Sequence, residues 1–147
     1  QKEAFSYQIN LAKKFKLPIV IHTREAFSEV FEIMDKLHDE NIKGIFHSFT
    51  GSYPDAQKII DYGFKIGVGG IVTFKNAGLD KIIENIDLSH IVLETDSPYL
   101  APVPFRGKRN ESSYITFIAQ KIADLHKISI NEVAHITSRN ALEIFKI

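Results

Sequence analysis

With 147 residues and 44% hydrophobic content, the chain can enclose one sizeable core and reads as a single domain over residues 1–147. Its 18 basic and 18 acidic residues cancel, so nothing draws it globally to nucleic acid or an anionic membrane, and a polyanion contact must come from a local patch. No apolar run approaches the roughly 20 residues of a membrane span, nothing resembles a signal peptide, and zero cysteines exclude disulfides, thiolate metal sites and a cysteine nucleophile, which together fit a cytoplasmic protein. Any metal must sit on His, Asp or Glu.

The chain opens as "QKEAFSYQIN", without an initiator Met and with Phe5, Ile9, Ala12 and Phe15 already on one helical face, so it reads as cut from something longer. "LPIVIHTR" (17–24) is a short apolar, β-branched run ending on His22, and Ala26, Val30, Ile33 and Leu37 follow in helical register. "KGIFHSF" (43–49) ends on His47. After it, "SYPD" (52–55) supplies a Ser N-cap with Pro in the first turn, and Gly63 is the stop. "FKIGVGGIVTF" (64–74) predicts a third strand, Leu79, Ile82, Ile83 and Ile86 a helix over 75–86, and "HIVLETD" (90–96) a fourth strand. Beyond Pro98 the pattern changes. "APVPFRGKRNESS" (101–113) is a Pro-rich basic loop, Ile115, Ile118, Ala119, Ile122 and Leu125 mark a helix, and "SINE" (129–132) is a capping box opening the last one.

Strand plus helix, repeated about every 25 residues, forces parallel strands joined by right-handed crossovers. Both an open doubly wound sheet and a closed β/α barrel satisfy that rule. The missing G-x-G-x-x-G turn after the first strand, and polar residues at the C-terminal ends of successive strands, favour a TIM (β/α)8 barrel. Four to five strands are about half of one, its C-terminal half.

Alternation puts Val20, His22 and Arg24 on one face, Ile45, His47 and Phe49 on one, and Val92, Glu94 and Asp96 on one. If those faces meet in the barrel mouth, His22, His47 and Asp96 converge on a divalent ion, with Glu94 beside them. Bland readings stand next to this. A strand-end His is often only hydrogen-bonded, Asp96 can cap the "DSP" turn, and Glu94 can pair with Arg24 or Arg109. His38, His90, His126 and His135 sit at ordinary surface or helix positions. "RGKRN" (106–110) either holds phosphate or is a solvated loop. No aromatic stacking platform stands out, so DNA and RNA are not separated.

Taken together, "LPIVIHTREA", "FHSFTGS", "GVGGIVTFKNA", "VLETDSPYLAP" and "RGKRNESSYI" resemble, in order and spacing, the TatD family of metal-dependent deoxyribonucleases among the amidohydrolase-like TIM barrels, over essentially the whole chain. The resemblance implies a centre of two divalent ions (Mg, Mn or Zn) that hydrolyses phosphodiester bonds in DNA, often from the 3′ end. It places metal ligands on His22, His47 and Asp96, and makes Glu94 a residue that orients a ligand or positions water, catalytic alongside Asp96. Arg24, Arg109 and Asn110 become candidate phosphate-binding residues; Arg109 and Asn110 match the family's "RNEP" loop, where this chain has Ser112 in place of the proline. The family's opening His-x-His strand and bridging glutamate have no counterpart, so the chain reads as a barrel lacking its first three strands, inactive in isolation. Other readings are a barrel hydrolase of a small ester or amide, and a non-catalytic interaction module. The expected partners are DNA and, at the exposed sheet edge, the missing N-terminal half or a second copy.

Overall fold

The computed structural model describes residues 1–146. Helix α1 (Lys2–Phe15) ends with Lys16 in the left-handed conformation and buries Ile9 and Ala12. Phe15, in its last turn, is 59% exposed rather than part of the predicted face. Four parallel strands follow: β1 (Ile19–His22), β2 (Gly44–His47), β3 (Lys65–Val68) and β4 (Ile91–Leu93). They lie in the order β1-β2-β3-β4, each beside its predecessor. The crossovers carry α2 (Phe27–Leu37), α3 (Tyr53–Asp61) and the short α4 (Leu79–Ile83), and α5 (Ile115–His126) and α6 (Ile130–Phe145) complete the chain. This is a partial β/α barrel with four strands, and 98–114 adds no fifth.

Local chemistry explains most boundaries. Ser52 and Asp55 form a reciprocal capping box at α3, and Ser129 and Glu132 repeat it at α6, satisfying backbone donors that a helix start leaves free. Gly63 takes φ +73° after α3. The predicted third strand over 64–74 is too long: only Lys65–Val68 pairs, and Gly70–Thr73 winds into a 3₁₀ turn. There the backbone of Leu100 comes so close that a Cβ on Gly70 would lie 2.2 Å from its carbonyl oxygen. The predicted helix over 75–86 shrinks to Leu79–Ile83, because 74–77 closes a turn and Gly78 is left-handed at φ +70°.

The two sheet faces differ. Ile21, Phe46, Ile66 and Ile91 belong to the main core under the helices, where Phe46 meets Phe31 at a tilt and Phe64 edge to face. On the opposite face Ile45 and Val92 pack with Ile144 of α6. Buried Asn140 of α6 donates from Nδ2 to the Leu88 and Ile91 carbonyls, both at 2.7 Å, fixing that helix at the start of β4. Val20, on the same face of outer strand β1, is 54% exposed. No helix among the described residues is long and apolar enough to cross a membrane.

Candidate metal centre

The C-terminal ends of β1, β2 and β4 bring the predicted ligands to one side of the sheet. His22 and His47 are register partners in the β1–β2 ladder, with ring centroids 5.8 Å apart. His47 Nε2 stands 2.9 Å from Asp96 Oδ1, and its Nδ1 2.7 Å from Glu94 Oε2. Glu94's other oxygen accepts the backbone N–H of Ser48. Glu94 therefore bonds to neither Arg24 nor Arg109, the partners that sequence suggested; it grips the His47 ring and the turn that follows it. Burial alone would lower the His47 pKa, but Glu94 and Asp96 outweigh it and hold the imidazole above its ordinary value of 6.5.

Three residues of this arrangement escaped the sequence reading. Ser48, left-handed at φ +48°, donates from Oγ to Asp96 Oδ2 at 2.8 Å, so one turn positions both carboxylates. Gly67 leaves room for Glu94, since a Cβ there would lie 2.7 Å from Oε1. Thr23, 5% exposed, carries a buried hydroxyl with no hydrogen-bond partner among the described residues. The only sequence signals were their positions beside His22 and His47 and in the third strand, and pairing periodicity says nothing about cross-strand acceptors.

A cleft of about 630 Å³ opens at the strand ends, lined among others by His22, Arg24, Ser48, Thr50, Asp96 and Leu100. Arg24 thus shares a cavity with two predicted ligands. Arg109 is exposed and forms no ion pair among the described residues. Asn110, offered as a phosphate ligand, is instead 2% exposed and turned into its own loop: Nδ2 donates to the Tyr99 carbonyl at 2.6 Å and Oδ1 accepts from Glu111 N–H. It clasps residues 98–99 to residue 110 and shapes the loop.

Which metal chemistry the donors fit follows from their types. An imidazole whose Nδ1 is held by a carboxylate presents Nε2 as a ligand, the arrangement metal-binding histidines commonly show, and Asp96 offers an oxygen beside it. Nitrogen and oxygen donors suit zinc, manganese and similar divalent ions. Among the described residues, however, no three His, Asp or Glu groups close into a metal-holding cluster. His47 and Asp96 fit one wall of such a centre, with His22 next to them.

The family described as TatD related DNase matches residues 1–146. Among curated relatives, the uncharacterized metal-dependent hydrolase YabD of Bacillus subtilis is 45% identical over 100% of this chain and 58% of its own length. The uncharacterized metal-dependent hydrolase YcfH of Escherichia coli is 36% identical over 100% of this chain and 56% of its own length. The chain thus spans little more than half the length of these relatives. Among solved structures, the TatD homolog YJJV from Escherichia coli superposes with a TM-score of 0.89 at 26% identity, covering 95% of this chain and 54% of that one. A TatD family hydrolase from Entamoeba histolytica, at 22% identity and a TM-score of 0.83, shares the fold over 95% of this chain and 54% of that one. By family match, sequence identity and the fold that carries His47 and Asp96, this chain belongs to the TatD family of metal-dependent hydrolases.

Proposed function

We propose that the chain supplies one wall of a two-metal centre that hydrolyses phosphodiester bonds in DNA, acting as a 3′-5′ exonuclease. The observation that carries this is the convergence of His47 Nε2 and Asp96 Oδ1 at 2.9 Å, with Nδ1 held by Glu94. Bound divalent ions would supply Lewis acidity toward a phosphoryl oxygen and an acidified water. His22, His47 and Asp96 are the residues that would hold metal. Glu94 fixes the His47 tautomer and ring plane, and Ser48 fixes Asp96. Arg24, in the cleft with His22 and Asp96, suits a phosphate oxygen through its planar fork of donors, and Arg109 adds a cation from the loop. The described family name and the neutral overall charge support a substrate gripped locally at its backbone.

The exposed inner face and free edge of β1 leave backbone donors and apolar surface open, so the partner at that edge is a further barrel segment or a second copy. A second reading, a non-catalytic module, is favoured by the lack of a closed three-ligand cluster among the described residues. The test is metal content and manganese- or magnesium-dependent release of nucleotides from DNA, for this chain alone and joined to the N-terminal portion of the Bacillus subtilis relative. Cleavage by the joined protein that is lost in His47→Ala supports the nuclease. Turnover of small esters or amides but not of DNA points to the other hydrolase class, and no metal-dependent turnover in either protein leaves the non-catalytic module.

A further inference from the structure

Four contacts at the ends of β2 and β4 join into one closed circuit. His47 Nε2 meets Asp96 Oδ1 at 2.9 Å, Asp96 Oδ2 accepts from Ser48 Oγ at 2.8 Å, the Ser48 N–H donates to Glu94 Oε1, and Glu94 Oε2 meets His47 Nδ1 at 2.7 Å. Each of the four residues is thus held by two of the others. The Asp96 carboxylate has no partner besides His47 and Ser48 among the described residues.

Serine is not the residue this backbone favours. At φ +48° position 48 lies in the left-handed region, where a Cβ is costly and glycine is not. The turn is fixed from both sides: His47 pairs with His22 in the β1–β2 ladder, and buried Phe49 donates its N–H to the Gly67 carbonyl at 3.0 Å and meets Phe27 edge-on. A glycine would relieve the backbone and still offer its N–H to Glu94. What the serine side chain adds is the bond to Asp96.

We propose that Ser48 is a positioning residue for metal binding, whose hydroxyl engages Oδ2 of Asp96 and so keeps Oδ1 turned toward His47 Nε2 as the ligand oxygen. The circuit has one replaceable link. His47 Nε2 and Asp96 Oδ1 are its two candidate ligand atoms, so their contact is the one given up when a divalent ion is bound, and the other three contacts remain. Glu94 then still orients His47, and the Ser48 hydroxyl is the remaining hold on the Asp96 carboxylate. Holding a ligand in place beforehand lowers the ordering cost of binding. The inference rests on the metal-centre reading above, not on which bond that centre cleaves, and adds to it a residue that acts through Asp96.

The test is calorimetric titration with zinc chloride of the unsubstituted chain, Ser48→Ala, Ser48→Gly and His47→Ala. Both Ser48 variants are expected to bind zinc about tenfold more weakly, as when other groups that orient a ligand are lost. The glycine variant should do no better than the alanine one, although its backbone suits the turn. A role confined to the backbone gives the opposite order, with Ser48→Gly at or above the parental affinity and only Ser48→Ala impaired. That order, or parental affinity in both variants, would overturn the proposal. Since glycine relieves the left-handed turn, the metal-free Ser48→Gly protein should melt near the parental temperature while its zinc affinity falls. Zinc binding that survives in His47→Ala, or is absent from the unsubstituted chain, would overturn the metal wall itself and the part given to Ser48 with it. Nucleic acid enters none of these readouts, so manganese-dependent release of nucleotides from DNA decides the phosphodiesterase reading separately.

Discussion

Glu94 holds His47 by the ring nitrogen farther from Asp96, so one carboxylate orients the imidazole and the other meets the face it presents. Replacing Glu94 with Gln keeps the shape and removes the charge. The His47 pKa should then fall toward 6.5, and divalent-ion affinity should drop about 10- to 100-fold, the usual cost of losing a carboxylate that orients a ligand. Titration of the His47 ring by NMR in metal-free protein, followed by calorimetric titration with manganese or zinc, checks both effects.

The glycine at 67 makes a sharper probe, because it never touches metal. A Cβ there would sit 2.7 Å from Glu94 Oε1, and the carboxylate that must move is pinned by His47 and Ser48. Gly67→Ala should therefore weaken metal binding about as much as Glu94→Gln does. A weak metal affinity with a melting temperature close to the parent's is the expected pair of results, and unchanged affinity would show that Glu94 is free to relocate.

Proton linkage gives a prediction with a definite sign. The folded-state pKa of His47 lies above 6.5, so the folded protein binds the proton more tightly than the unfolded chain does. Its contribution to stability is complete below pH 6.5 and is lost as pH rises through the raised value. Metal-free protein should melt at progressively lower temperature across that window, and His47→Asn should flatten the profile. Metal binding runs the opposite way, strengthening as the ring deprotonates, because a ligand imidazole must be neutral.

At the opposite end of the strands from the site, Asn140 joins α6 to β4 through two 2.7 Å bonds from one buried amide nitrogen. Asn140→Ala leaves two inner carbonyls without that donor and should cost about 2 kcal/mol, read from the urea midpoint. His22 and His47 lie on other strands, so their register pairing should survive, as cross-strand NOEs between β1 and β2 would show.

Much of this architecture is legible in the sequence, for identifiable reasons. The spacing of His22 and His47 equals one strand–helix unit, so it carries the register pairing, and "SYPD" and "SINE" state their helix starts outright. The sequence overextends the third strand because "IVTF" is largely β-branched and apolar; the Leu100 backbone pressed on Gly70, a contact from another segment, accompanies the end of pairing. Asn110, a candidate phosphate ligand by its loop motif, clasps its own loop instead, and Glu94 meets the His47 ring rather than the arginine of its bland reading.

A sheet in which each strand pairs only with the one before it also sets a gradient of protection. Ladders that close over about 25 residues need little loop entropy, so the strands can assemble one after another. Once formed they are not equally guarded: α6 fastens β4 at its start, whereas β1 has a neighbour on one side only. Amide hydrogens of β1 should exchange well before those of β3. The candidate wall should therefore be held more firmly at Asp96 than at His22, and whatever docks along β1 would set the position of that histidine.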